Sequence, residues 1–416
     1  MSFQLTENQL LAVDTIVSAK VAVITGGAGS GKTTIIRQAV ERLTEAGENV
    51  VLCAPTGKAA ARVREATGYP ARTVHSACGF FPQEGTDELG RSLNPSKAAL
   101  ASVVIIDEAS MLSDDILAAV IRTIQPSCRL ILVGDPNQLP PVSAGYPFRD
   151  LIDCGNVPHV HLDVVHRQQG KLLANCYAVL NGQPKELLYD AGKGNRLDAD
   201  WGVINCGDDN IVKALLKLCS KGEAEEQLGV PFTEILVVTP LNDGPFGRNT
   251  LNRLIQREYH ESRGVKDLPE YTKGQVKDKF LPGDRVIWTK NDRLLGLVNG
   301  DVGTVKFVTD SKVSVEFDGI GLLQVDNCLS LNLGWVLTCH KAQGSQYNKV
   351  IVIQANAHCS NHLNGIINKQ WLYTAATRAK KAVFFLGSFE AFSKHCHTEV
   401  RDSRQTYLKT VLEEVL

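Results

Sequence analysis

The sequence predicts an α/β fold built on two parallel sheets, with a short hairpin inserted in the first half and a small antiparallel barrel in the second. Three observations predict it. Apolar, β-branched runs such as VAVIT and SVVIIDE each precede a stretch of helical period, the pattern of strands buried on both faces. That pattern lapses after residue 160 and restarts at FTEILVVTP (232–240). Residues 283–319 then change to short strands split by glycine turns, GDRVIWTK, NGDVGTVKFV and KVSVEFDG, before the α/β pattern returns.

In order, VAVIT (21–25) is a strand, followed by a glycine loop and the helix TTIIRQAVERLTEAG. NVVLCAP is a strand and GKAAARVREATG a helix; SVVIIDEAS is a third strand, DDILAAVIRTI a helix, and CRLILVGDP a fourth strand. Residues 79–100 interrupt this order with two aromatics and turn residues, an excursion with EGTDELG near its tip. In the second half GRNTLNRLIQREYHESRG is helical, and WVLTCHKAQGSQYNKVIVIQA and WLYTAATRAKKAVFFLGS complete the α/β pattern.

Composition sets limits. The chain has 416 residues, 44% hydrophobic and 21% charged, enough apolar content for two or three cores. A net charge of −1 excludes a bulk electrostatic pull toward nucleic acid or anionic membrane, so any nucleic-acid site is a local basic groove. No apolar run approaches the about 20 residues that span a bilayer, and MSFQLTENQL lacks the regions of a signal peptide. A soluble, cytoplasmic protein is expected. The 11 cysteines include no C-x-x-C and read as small buried hydrophobes. His358, Cys359 and His362, with His395, Cys396 and His397, would make a metal site only if both groups met in space, and their spacing matches no standard zinc pattern.

Chemistry concentrates at strand ends. Gly26 to Thr33 fits G-x-x-x-x-G-K-T between a strand and a helix, where backbone N–H groups and the helix N-terminus cradle phosphates. Lys32 is then the side chain for the β- and γ-phosphates, and Thr33 the Mg²⁺ ligand. Gly27, Ala28, Gly29, Ser30, Gly31 and Thr34 complete the nucleotide loop. Asp107 and Glu108 end an apolar strand. Asp107 suits Mg²⁺ through water and Glu108 suits an attacking water, a pairing that favours a hydrolase over a kinase; a helix-capping Asp-Glu pair is the plain alternative. Gln138, in GDPNQLPPV, is an uncharged side chain suited to sensing the γ-phosphate, although proline and asparagine also make such loops for local reasons.

GGAGSGKTT, CAPTGKAAARV, VVIIDEAS, GDPNQLPPV, TCHKAQGSQ and LYTAATRAKK occur in this order. Together they resemble the motifs of superfamily 1 helicases, and their order resembles the RecD-like group that includes the small phage Dda helicase. The resemblance runs from LTENQ to TRAKK. It implies two RecA-like motor domains, 1–78 with 101–158 and 159–257 with 332–416. It also implies a pin or wedge at 79–100 and a Src-homology-like barrel at 258–331. ATP and Mg²⁺ are the implied cofactors.

The resemblance also assigns residues. Gln9 is similar to the glutamine that reads adenine. Arg378 and Arg167 are similar to arginine fingers that meet the γ-phosphate with a planar, permanent charge. Thr56, Lys58 and His75 in the first half resemble contacts to single-stranded nucleic acid, as do Thr338, His340 and Lys341 in the second. Gln343 and Gly344 resemble the link from strand to nucleotide. Asn299, in the Asn-Gly turn of the barrel, resembles a further residue that faces the strand. Phe80 and Phe81 belong either to the wedge or to the packed base of a hairpin. GDPNQLPPV lacks the tyrosine found in the 3′→5′ branch and both insertions are short, which favours the 5′→3′ branch. The implied activity is a 5′→3′ DNA helicase and translocase, hydrolysing ATP between two domains. Single-stranded and fork DNA are the implied partners, with replication, recombination or single-strand-binding proteins around a monomer in the cytoplasm of a cell or phage host. An RNA helicase or an ATP-regulated strand clamp shares these motifs.

Overall fold

The computed structural model describes residues 5–80, 96–163, 170–183, 200–268, 279–292, 294–309, 312–326, 330–359, 366–398 and 408. The expected contributions of Phe81, Arg167, His362 and most of 79–100 lie outside the described residues. Two compact units divide the chain, residues 1–169 with 402–416, and residues 170–401.

The first unit runs α1 (Glu7–Ser18), β1 (Val21–Gly26), α2 (Lys32–Glu45), β2 (Val50–Ala54), α3 (Gly57–Thr67), β3 (Ala71–Thr73) and α4 (Val74–Cys78). It continues with β4 (Val103–Ile106), α5 (Asp114–Thr123), β5 (Arg129–Gly134), α6 (Pro147–Asp153) and β6 (His159–Leu162). All strands pair in parallel in the order β3-β2-β4-β5-β1-β6. Alternate strand residues enter opposite cores: Ala22 and Ile24 pack with α1, α2 and α3, while Val23 packs on the face covered by α4, α5 and α6. In α2, Ile35, Ile36, Ala39, Val40 and Leu43 form the buried stripe that its helical period requires.

β6 lies beyond the boundary expected at residue 158. Val160 and Leu162 point inward and His159 and His161 outward, so four residues with period-two alternation make a half-buried edge strand beside β1. That short signal is easily overlooked next to long apolar runs.

The second unit contains α7 (Gly170–Leu180), β7 (Trp201–Asn205), α8 (Asp208–Cys219), α9 (Glu223–Leu228), β8 (Ile235–Thr239) and α10 (Arg248–Glu261). An insertion follows: β9 (Arg285–Trp288), β10 (Val302–Val308), β11 (Lys312–Phe317), β12 (Gly321–Asp326) and β13 (Leu331–Leu333). The unit closes with β14 (Val336–Thr338), α11 (Cys339–Ala342), β15 (Tyr347–Gln354), α12 (Lys369–Ala376), β16 (Ala379–Gly387) and α13 (Phe389–His397). Its parallel sheet has the order β14-β8-β15-β16-β7.

The insertion differs from the expected closed barrel. It is an antiparallel sheet of order β12-β11-β10-β9-β13, and among the described residues no pairing joins β12 to β13. β13 is three residues long and its chain passes almost at once into β14, which leaves too little strand to close the ring. The sheet still has an inner face, because Val286, Trp288, Val305, Val313, Val315 and Phe317 join the core of the parallel sheet.

Candidate functional site

In the first unit the candidates other than Gln9 sit after the carboxyl ends of five contiguous strands, β3, β2, β4, β5 and β1. Such ends are where parallel sheets hold ligands. β1 delivers the loop Gly26–Gly31. Gly31 caps α2 at φ +88°, a left-handed backbone that favours glycine, and a Cβ there would meet the Gln9 side chain at 2.5 Å. No side-chain hydrogen bond caps α2, which leaves its first N–H groups suited to phosphate. Lys32 Nζ donates to the carbonyls of Gly26 (2.6 Å) and Gly27 (2.8 Å), so the ammonium is held against the loop. Thr33 and Thr34 are half-buried beside it. Gln9 is buried rather than solvated: it closes a capping box with Thr6 and donates to Ser30 O at 3.3 Å, which ties α1 to the loop.

β4 delivers the acids. Asp107 N–H donates to Cys53 O at 2.9 Å, extending the register of β2 and β4 up to the carboxylate. Burial, with the Glu108 carboxylate beside it, pushes the Asp107 carboxyl up to about 6, against the pull of Lys32, the Glu108 N–H and Arg62. Glu108 has φ 53°, the one non-glycine at positive φ among the described residues, a strain of about 1–3 kcal/mol. Glu108 Oε1 lies 3.6 Å from Arg62, while Oε2 is buried without a hydrogen-bond partner. Two buried carboxylates, one of them with an unpartnered oxygen, fit a divalent cation. The helix-capping alternative does not describe this pair, since Glu108 makes no side-chain cap bond.

The neighbouring strand ends carry the other candidates. Gln138 is buried in a loop braced by Asp135, whose carboxylate accepts from Asn137 N–H, and by Tyr146, whose hydroxyl donates to Pro136 O. The Thr56 hydroxyl caps α3 by accepting from Ala59 N–H, and Lys58 is half-buried one residue into that helix. His75 meets Phe80 edge to face with centroids 6.0 Å apart, which places Phe80 in packing around α4.

In the second unit the TCHKAQGSQ run leads from the carboxyl to the amino ends of the parallel strands. Thr338 pairs with Thr239 at the carboxyl ends, whereas β15 starts, at Tyr347, from the amino ends. Thr338, exposed His340 and half-buried Lys341 therefore stand at one end, and Gly344 at the other. Arg378 is at that second end. It is 2% exposed and donates to Thr374 O (3.1 Å), Thr377 Oγ1 (3.4 Å) and Ser345 O (3.5 Å). Burial, then the Arg248 charge, holds the Lys341 ammonium below its ordinary range, so two cations share the carboxyl end. Asn299 is exposed in the β9–β10 connection, its N–H donating to Asn291 Oδ1 at 2.9 Å.

Sequence reasoning missed several groups. Arg62, the partner of Glu108, follows in the helix that begins at the APTGKAA motif. Arg248 opens α10, in a helical run that matched no motif. Thr25 shares its hydroxyl with His159 (2.8 Å) and His161 (2.9 Å) at the root of the nucleotide loop, a contact only the β1–β6 pairing creates. The two Cys/His groups do meet, with Cys359 Sγ 3.4 Å from His395 Nε2, but no group of three metal-ligating residues forms among the described residues.

Residues 4–199 match the AAA domain family, and residues 333–386 match the UvrD-like helicase C-terminal domain. The chain is 31% identical over 407 residues to the ATP-dependent RecD2 DNA helicase of Deinococcus radiodurans, covering 97% of this chain and 52% of that protein. It thus spans about half the length of that relative. It is 29% identical to the RecBCD enzyme subunit RecD of Mycolicibacterium smegmatis, covering 92% of this chain and 71% of that one. Among solved structures, a Bacteroides Pif1 helicase in complex with ADP-AlF3 and ssDNA superposes with a TM-score of 0.55 at 20% identity, covering 92% of each chain. The Candida albicans Pif1 helicase gives 0.54 at 19%, covering all of both chains. These structures share the fold, and two parallel-sheet units of this kind are RecA-like domains. With the nucleotide loop, the acid pair and the TCHKAQGSQ run placed as described, the chain is similar along nearly its whole length to RecD-type helicases and shares its fold with Pif1 helicases.

Proposed function

We propose that this chain is an ATP-dependent DNA helicase that translocates 5′→3′ on single-stranded DNA. The observation that carries the reading is the convergence of the nucleotide loop, Asp107–Glu108 and Gln138 on contiguous strand ends. Lys32 and the α2 N-terminus hold the phosphates, and Thr33 and Asp107 hold Mg²⁺, which would neutralise charge on the β- and γ-phosphates. Glu108 orients the attacking water, and Gln138 senses the γ-phosphate. Arg378, with Arg167, supplies the arginine fingers, and Gln9 and Gly344 complete the nucleotide contacts.

Thr56, Lys58 and His75 of the first unit, and Thr338, His340 and Lys341 of the second, are the strand contacts. The Lys341–Arg248 cation pair supports the second set, because a phosphate between like charges relieves their repulsion. The antiparallel insertion, with Asn299, is the counterpart of a Src-homology-like module, and residues 79–100, with Phe81, supply the wedge. Pif1 relatives have been solved with single-stranded DNA and at forked DNA, which supports the same substrates here. A cytoplasmic monomer serving replication, recombination or single-strand-binding proteins fits this reading.

Forked duplexes with a single 5′ or a single 3′ tail test it. Unwinding confined to the 5′-tailed fork is expected. Unwinding confined to the 3′-tailed fork overturns the polarity, and strand-stimulated ATPase with no unwinding makes the protein a clamp. Equal activity on RNA reassigns the substrate.

A further inference from the structure

The antiparallel sheet is inserted between α10 and β14, so its chain leaves and re-enters the parallel sheet at two places. Both are hydrogen-bonded to one face of α10. Asn252, Gln256 and His260 recur every four residues on that helix and are 3%, 1% and 3% exposed. Buried polar side chains at this spacing, beside the apolar pair Leu251 and Ile255, need an explanation.

Asn252 holds the re-entry. Its Oδ1 accepts from Val336 N–H at 3.0 Å and its Nδ2 donates to Val336 O at 2.9 Å. Val336 opens β14, the edge strand of the parallel sheet, so one carboxamide supplies the two bonds that a further strand would make. Gln256 and His260 hold the exit. Gln256 Nε2 donates to Lys279 O (2.8 Å) and to Asp284 Oδ2, and His260 Nε2 meets Asp284 Oδ1 at 2.9 Å. Asp284 is fully buried, accepts also from Leu281 N–H at 2.7 Å, and immediately precedes β9. The two crossings touch each other as well: Gly334 N–H donates to Arg285 O at 2.8 Å, and a Cβ on Gly334 would lie 2.7 Å from the Val286 backbone.

We infer that this face of α10 is a bracket that fixes the antiparallel insertion in register with β14, and through it with Thr338, His340 and Lys341. Asn252, Gln256 and His260 are positioning residues: buried against protein, they make the insertion and the strand-contacting segment move as one body. Apolar residues would bury similar area without specifying direction, whereas these bonds define one orientation. If the insertion could tilt freely, hydrolysis would continue while the movement it drives dissipated. The inference rests on the helicase reading for its consequence, and on the hydrogen bonds alone for the bracket.

The full chain, with His260→Leu, His260→Gln and Asn252→Leu variants, is assayed for ATPase at saturating strand and for base pairs separated per ATP on a 5′-tailed fork. Both leucine variants should keep ATPase within about two-fold and lose at least about five-fold in base pairs per ATP. His260→Gln, which retains a donor for Asp284, should stay near the parent value. Leucine variants with parental coupling, or ATPase and unwinding lost in equal measure, overturn the proposal. Hydrogen exchange on the unsubstituted protein tests the bracket without relying on variant folding or on helicase activity. The amides of Val336 and Leu281 should exchange as slowly as those in the middle of α10, and exchange at loop rates overturns the bracket. Absence of unwinding by the unsubstituted protein would count against the helicase reading alone.

Discussion

The two parallel sheets carry their candidate residues differently. In the first unit the candidates other than Gln9 collect at the carboxyl ends of five neighbouring strands, where Lys32, Asp107, Glu108 and Gln138 follow β1, β4 and β5, Thr56 follows β2 and His75 follows β3. In the second unit the candidates divide. Thr338, His340, Lys341 and Arg248 stand at the carboxyl end, Gly344 and Arg378 at the amino end, and the chain from α11 to β15 joins them. One unit gathers its candidates at a single end of its sheet, and the other distributes them over two. Arg378 bonds to Ser345 O, only a few residues of continuous chain after Lys341.

Substitutions can break or sharpen that contrast. The largest effect should come from the first unit. Lys32→Ala should lower ATP turnover about 10³-fold or more while strand affinity stays within about three-fold. Parallel loss of strand binding in a filter assay would show that the two functions are not separated. At the amino end of the second unit, Arg378→Ala should slow hydrolysis about 10²–10³-fold with nucleotide affinity nearly unchanged. Normal turnover at saturating strand removes the arginine from the finger role.

At the carboxyl end, Lys341→Ala should weaken strand binding about five- to ten-fold and reduce the salt slope by about one. pH sharpens this further. Burial, then Arg248, lowers the Lys341 pKa, so the free protein gives up this charge at lower pH than an exposed lysine. Strand phosphate favours the charged form, so binding should take up a proton in the alkaline range above the lowered pKa. Lys341→Arg should flatten that dependence, and an equally steep profile in the arginine variant would contradict it.

The smallest effect concerns stability. Burial first, and for His395 the neighbouring His358, moves both imidazoles from 6.5 to about 4. Their folded pKa values lie below the unfolded ones, so their stabilisation is complete above about 6.5 and lost as pH falls toward 4. The total should be a few kcal/mol. Denaturant titrations at pH 7.5 and 5 should show the loss, and His395→Gln should remove about half of it; an unchanged slope means that other groups carry the acid sensitivity.

The sequence by itself determined the parallel sheets and the motifs, because strand period, glycine spacing and the acid pair after an apolar run are local properties of the chain. It also placed Lys32, Asp107 and Glu108 together, since neighbouring strands deliver their ends to one side. Tertiary structure alone decided the rest, and each case joins residues distant in sequence. Gln9 is buried because α1 returns to cover Ser30. β6 belongs to the first sheet because β1 offers it an edge. Among the described residues no pairing joins β12 to β13, because β13 is used up in reaching β14. Asn252 became a strand-edge partner because the chain folds back to bring Val336, 84 positions further on, beside it. Hydrophobic period says which face of α10 is buried, but the partner that awaits a buried amide is set by where the rest of the chain goes.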